Sequence, residues 1–260
     1  MLTITPIPAF NDNYIWMFHQ SGSSDVFVVD PGDAQPVEQA LKEQQCHLAG
    51  ILITHHHYDH TGGITALTAD RDIPVYGPDN TNISGITHPL KDGSVVMIAG
   101  TQFTVFATPG HTLDHIAYFT ASGEQGNPAL FCGDTLFSAG CGRLFEGTAE
   151  QMYSSLSTLA ALPQNTLIYP AHEYTQANLE FALAVEPNNK NIIKRKFEVE
   201  MLRQRLEPSL PSSLATELAT NPFLRSGQTS VINAALQKGA QPGASASHVL
   251  RVIREWKDQF

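Results

Sequence analysis

The chain has 260 residues, 42% of them hydrophobic, and a formal net charge of -10. That is enough apolar material for one large domain or two, without disulfide staples. The negative balance argues against nucleic acid as the main partner, because phosphate binding wants a basic face, and it disfavours a nuclease; a small anionic substrate held by a local basic patch stays open. No apolar run approaches the roughly 20 residues of a spanning helix, and the opening Met1 to Pro8 lacks the charged and apolar regions of a signal peptide. Cys46, Cys132 and Cys141 are odd in number and irregularly spaced, as in a reducing compartment. A monomeric cytoplasmic protein, with no membrane or nucleic-acid partner, is expected.

Short runs rich in Val, Ile, Phe and Tyr, bounded by Gly, Pro, Asn or Asp, predict strands over 4–6, 14–18, 26–29, 50–53, 75–76, 95–98, 103–107, 116–119, 129–131 and 167–169. Helical patterns fall among them at 36–45, 64–69 and 149–161. After His172 the texture changes. No strand-like run appears from Tyr174 onward, and helices are predicted over 175–185, 191–206, 214–219, 229–237 and 247–257, separated by Pro187, Pro208, Pro211, Pro222 and the stretch 239–243. The pattern predicts a layered α and β domain over 1–173 and an all-helical domain over 174–260.

Residues 54 to 60 read Thr-His-His-His-Tyr-Asp-His. The apolar stretch from Leu48 to Ile53 runs into them and Thr61-Gly62-Gly63 leaves them, as when a buried strand ends in a ligand-bearing loop followed by a helix. His55, His57, Asp59 and His60 offer the imidazole and carboxylate donors that zinc and similar cations select. Three further candidates follow predicted strands: His111, Asp134 and His172. Strand ends at one edge of a sheet can converge on one site. Seven ligands are too many for one tetrahedral zinc and suit two ions that share a carboxylate. Asp134 is the expected bridge. His55 and His57, two apart in extended chain, go to the first ion with His111, and Asp59 and His60 to the second with His172, which leaves each ion an open position. The same alternation turns His56 away, and His19, His47, His88 and His248 read as ordinary surface or hydrogen-bonded histidines.

The His-x-His-x-Asp-His run followed by a later His, Asp and His resembles the metallo-β-lactamase superfamily over roughly residues 1–172. The resemblance implies an α+β fold, a four-layered αββα sandwich with a dinuclear site at one edge. It also implies a supporting role behind the ligands for Asp30, in Val28-Val29-Asp30-Pro31-Gly32; His115 is either such a group or a core residue. Fold alone does not name the reaction. The runs from Pro8 to Tyr14, Gly140 to Thr148, Ala171 to Thr175 with Asn178, and Arg254 to Phe260 resemble the glyoxalase II family, also called hydroxyacylglutathione hydrolase, and extend the likeness to nearly the whole chain. That resemblance implies a thioester hydrolase that cleaves S-D-lactoylglutathione, a 2-hydroxyacylglutathione, to D-lactate and glutathione in methylglyoxal detoxification. It implies glutathione contacts from Arg143, Phe145, Tyr174, Arg254 and Lys257. Arg143 stands where some members have Lys, and Phe145 where some have Tyr, so at Phe145 the main chain can bind but no hydroxyl can. Catalytic roles fall to Asp59 and Asp134, beside a water activated by the two ions. Zinc is the expected metal, although iron and manganese accept the same donors. The alternatives are another hydrolase of this fold, such as a lactonase or β-lactamase, a di-iron redox protein, and a non-catalytic metal-binding protein.

Overall fold

Strand β2 (Asn13–Gln20) is apolar on both faces, with Ile15 and Met17 on one side and Trp16 and Phe18 on the other. A strand of that kind needs a packed layer on each side. The computed structural model, which describes residues 1–260, shows both. β2 pairs antiparallel with β1 (Leu2–Ala9) and with β3 (Asp25–Val29), and β4 (His47–Leu52), β5 (Val75–Pro78) and β6 (His88–Leu90) continue the sheet in parallel, in chain order. Under one face lie helices α1 (Ala34–Gln44) and α3 (Ile64–Thr68). Their Val37, Leu41, Ile64 and Leu67 share a buried cluster with Ile15, Met17, Val26, Val28 and Ile51 of the sheet. Between β4 and α3 stands the single turn α2 (Tyr58–Thr61). Against the other face, Phe18 stacks on Phe131 at 5.2 Å and meets Phe103 at 5.7 Å. Those rings belong to an antiparallel meander of β7 (Val95–Ile98), β8 (Thr101–Ala107), β9 (Ile116–Thr120) and β10 (Ala129–Gly133). These elements make up one compact unit, Met1–Ala107 with Asp114–Gly133.

The second unit comprises Thr108–Leu113 and Asp134–Phe260. It opens on a tight hairpin of β11 (Leu136–Phe137) and β12 (Gly140–Cys141). Helix α4 (Ala149–Ala160) starts on a reciprocal cap. The Thr148 hydroxyl accepts from the Gln151 N–H, and the Gln151 side chain accepts from the Thr148 N–H. β13 (Leu167–Pro170) pairs with β14 (Ser212–Ser213), and five helices follow β13: α5 (Thr175–Val185), α6 (Lys190–Gln204), α7 (Leu214–Thr220), α8 (Thr229–Gln237) and α9 (Ala246–Asp258). Leu179 and Ala182 of α5 pack with Ile192 and Val199 of α6 around Ala139.

Every strand and helix expected from the sequence forms, with its ends shifted by at most three residues. Five short elements go beyond that pattern. β6 contains Pro89 and lies at a sheet edge, where a missing N–H donor is tolerated. β14 is a strand after Tyr174, in a region where only helices are expected; two serines carry no apolar alternation to announce it. α2, β11 and β12 are too short to show a period.

Candidate active site

In the first unit the 54–60 run leaves the end of β4. His55 and His57 lie in extended chain, with His55 Nε2 and His57 Nδ1 3.0 Å apart. The backbone then turns into α2, which puts Asp59 and His60 on its first turn, Asp59 Oδ2 3.4 Å from His60 Nε2. The His55 and His60 rings are 4.1 Å apart, so this unit brings its four expected ligands together. Behind them sits the buried Asp30, at the end of β3 with φ +54°. Its Oδ1 accepts from the Thr54 N–H and its Oδ2 from the Thr54 hydroxyl, both at 2.7 Å, and Oδ2 stands 3.0 Å from His60 Nδ1. A carboxylate there keeps the His60 proton on Nδ1 and leaves a lone pair on Nε2, the arrangement a metal-binding imidazole needs. His115 is buried and stacks on His55 at 4.8 Å. His56 turns aside to Asp114 at 2.9 Å, and Asp114 in turn accepts from Asn80 at 2.7 Å. Asn13 was not singled out from the sequence, yet its amide donates to Asp59 Oδ2 at 3.1 Å; its only signal is its place in the 8–14 run. Gly32 makes the packing possible, since a Cβ there would sit 1.8 Å from the Asp59 carbonyl oxygen.

In the second unit Asp134 faces two histidines with separate oxygens. Oδ2 is 3.4 Å from His111 Nε2, and Oδ1 is 3.4 Å from His172 Nε2. Two ligands each about 2.0–2.2 Å from one tetrahedral ion stand roughly 3.3–3.5 Å apart, so these spacings fit a metal, as does the 3.4 Å between Asp59 and His60. His111 Nδ1 lies 2.9 Å from the Arg143 carbonyl oxygen, which holds the proton on that side of the ring. The segment after Asp134 is pinned by Asn178, which the resemblance includes, and by Asn221 and Glu217, which sequence reasoning missed. Asn221 donates to the Phe137 and Gly140 carbonyls, and Asn178 to that of Ser138. Glu217 accepts from the Ser138 hydroxyl at 2.9 Å and the Ala139 N–H at 2.7 Å. Burial raises the Glu217 carboxyl above its usual range. None of these contacts has a local sequence signal, because the partners are about 40 to 80 residues apart.

Beside Asp134 and His111 opens a cavity of about 500 Å³, also lined by Arg143, Phe145, Tyr174, Arg254 and Lys257. The Tyr174 ring lies parallel to that of His172 at 4.8 Å. Phe145 meets His111 edge-on at 5.2 Å and its N–H donates to the His111 carbonyl, so the exposed ring rather than the amide is what Phe145 offers. Arg254 is only 5% exposed: it donates to the Cys141 carbonyl at 2.8 Å and to Asp258 at 3.0 Å. Asp258 also lies 3.5 Å from Arg143. Burial, with Arg254 nearby, lowers the Lys257 ammonium to about 8. Burial pushes the Cys141 thiol up to about 11, so it stays protonated and unreactive.

Residues 11–172 match the family model of the metallo-β-lactamase superfamily, and residues 173–260 match that of the hydroxyacylglutathione hydrolase C-terminus. The hydroxyacylglutathione hydrolase of Chromohalobacter salexigens is 52% identical over 260 residues, and that of Pseudomonas aeruginosa PAO1 is 50% identical over 261, each alignment covering 100% of both chains. The chain belongs to the hydroxyacylglutathione hydrolase family of the metallo-β-lactamase superfamily. It is therefore a metal-dependent hydrolase, with the metallo-β-lactamase fold followed by a C-terminal helical region. The fold is also that of ETHE1 from Myxococcus xanthus (TM-score 0.67, 22% identity, 98% of this chain and 91% of that one). TTHA1623, solved in a di-iron-bound form, shares it as well (TM-score 0.59, 22% identity, 85% and 99%). No helix is long and apolar enough to cross a membrane.

Proposed function

We propose that the chain hydrolyses 2-hydroxyacylglutathione thioesters, S-D-lactoylglutathione above all, to D-lactate and glutathione, and so serves methylglyoxal detoxification in the cytoplasm. The observation that carries this reading is the cavity in which Arg143, Arg254, Lys257 and the Tyr174 phenol accompany His111 and Asp134. In a chain of net charge -10, three cations around one cavity are a local reversal suited to the two carboxylates of glutathione. The free cysteines are compatible with a reducing compartment.

We assign His55, His57 and His111 to a first ion and Asp59, His60 and His172 to a second, with Asp134 bridging. The 3.4 Å ligand separations and the Nδ1 partners of His60 and His111 support this assignment. Zinc suits the donors; iron suits them too and is carried by TTHA1623, so elemental analysis of the purified protein decides between them. Bound there, two divalent ions would supply a water ionised near neutral pH and polarise the thioester carbonyl. Asp59, held by Asn13, and Asp134 orient the attacking water. Its oxygen bonds to the acyl carbon as the C–S bond breaks; one of its two protons has gone to solvent on ionisation, and the other leaves the new carboxyl group for the thiolate or solvent. A thiol of pKa about 8.5 leaves without a dedicated acid. Residues 1–173 act as the catalytic domain, and 174–260 as the helical domain that supplies Tyr174, Arg254 and Lys257 to glutathione.

The test is turnover of S-D-lactoylglutathione against a D-lactoyl thioester of N-acetylcysteamine, which has the same acyl group and no carboxylates. A drop in kcat/KM of about 100-fold or more is expected from the lost charge pairs. Equal values for the two would remove glutathione recognition.

A further inference from the structure

Helix α6 carries an outward ridge that the reaction does not use. Ile193, Phe197 and Met201 follow one another at intervals of four, which puts them on one helix face, and they are 50%, 64% and 43% exposed. On one flank of the ridge stand Lys194 and Glu198, 3.6 Å apart, and on the other Lys196 and Glu200, also paired. We propose that this face is a self-association surface, on which α6 packs antiparallel against α6 of a second copy, crossing at Phe197.

The order of charges selects that partner. In an antiparallel pair each flank meets its own counterpart running backwards. Lys194 then faces the partner's Glu198 and Lys196 faces the partner's Glu200, and the twofold axis repeats both contacts. A parallel pair would bring opposite flanks together at the same level, lysine near lysine and glutamate near glutamate, which is repulsive. An anionic membrane or nucleic acid fits poorly, since the lysines alternate with Glu198 and Glu200. The apolar part is matched as well. An i, i+4 ridge is the one that interdigitates in the commonest class of helix packing. An aromatic side chain offers roughly 150–250 Å², so Phe197 with Ile193 and Met201 exposes a patch of a few hundred Å², comparable to the largest patch on a typical monomer, which is often functional. Two such patches bury less than the ~1,200 Å² of a standard interface, so the dimer is weak, with a Kd on the order of 10–100 µM. It departs from the expected monomer only in concentrated solution.

Sedimentation equilibrium of the full chain from about 5 to about 500 µM spans that constant. The mass should rise from one copy toward two. Phe197→Glu should hold it at one copy throughout. Lys194→Glu should weaken association about tenfold or more by setting like charges together at two symmetric positions, and Lys194→Glu with Glu198→Lys should recover most of it, since both partners of those two contacts are exchanged while only the 3.7 Å pair of Glu198 with Arg195 is lost. Circular dichroism and turnover of S-D-lactoylglutathione, unchanged in all three variants, confirm that each is folded. A chain that stays monomeric throughout, or a rise in mass indifferent to Phe197→Glu, overturns the surface. A double variant no better than Lys194→Glu overturns the antiparallel pairing.

Discussion

Replacing Asp30 by Asn changes almost no volume and should still damage metal binding. The backbone tolerates it, because Asn is among the few residues at ease at the φ of +54° that position 30 adopts. The hydrogen bonds do not. The Thr54 N–H can only donate, so the Asn oxygen must take the Oδ1 position, 2.7 Å from it. The amide NH₂ then occupies the Oδ2 position, facing the Thr54 hydroxyl, which can accept, and His60 Nδ1 at 3.0 Å. With a donor opposite it, Nδ1 has to accept, and the imidazole proton moves to Nε2, the nitrogen proposed to bind the second ion. A hydrogen bond to a charged group contributes about 1.5–3 kcal/mol, and at 1.4 kcal/mol per decade that is roughly 10–100-fold in affinity, the usual effect of losing a partner behind a metal ligand. Competition with a chromophoric chelator measures it directly. Asp30→Asn should release one equivalent of metal about 10–100-fold more readily while the other stays near the wild-type value. Two wild-type affinities in a folded Asp30→Asn protein would refute the claim that Asp30 sets the His60 tautomer.

Other predictions concern the cavity and the segment beneath it. Lys257→Ala should raise KM for S-D-lactoylglutathione about tenfold or more with little change in kcat, the signature of lost uniform binding; a kcat effect alone would remove Lys257 from substrate binding. Lys257 is cationic below about 8 and loses its charge as the pH rises through that value, so KM should climb from about pH 8 upward. In Lys257→Ala that climb should be absent. Glu217→Gln can still accept from the Ala139 N–H and donate to the Ser138 hydroxyl, so it should stay within about 1 kcal/mol of wild type. Glu217→Ala leaves the Ser138 hydroxyl and the Ala139 N–H without their acceptor, and at roughly 1–3 kcal/mol for each buried group left unsatisfied it should cost about 2–5 kcal/mol in urea unfolding.

Much of the fold was legible because the apolar pattern is strong where the chain is buried on both sides, as in β2 and β10. The candidate metal ligands stood out because the donors crowd into 54–60 and because His111, Asp134 and His172 each follow a strand closely. The resemblance added the residues around the cavity, which composition could not. What escaped has a physical reason in each case. α2 begins inside the ligand run, where the donors, not an apolar period, fix the sequence. Glu217 and Asn221 act on carbonyls and N–H groups about 80 residues upstream, and nothing near them in the chain marks that target. Arg254 sits on a terminal helix that would read as solvated, yet its guanidinium is buried on the Cys141 carbonyl. A helix face buried by tertiary packing cannot be told from a solvated one when the buried side chain is charged.

The central claim, hydrolysis that depends on two metal ions bound by the proposed ligands, is tested most directly by reconstitution. Metal is stripped with chelator, its removal verified by elemental analysis, and S-D-lactoylglutathione hydrolysis is followed as zinc is returned by equivalents. No turnover in the stripped protein and full turnover at about two ions per chain is the predicted result. Turnover that survives complete removal of metal would contradict it.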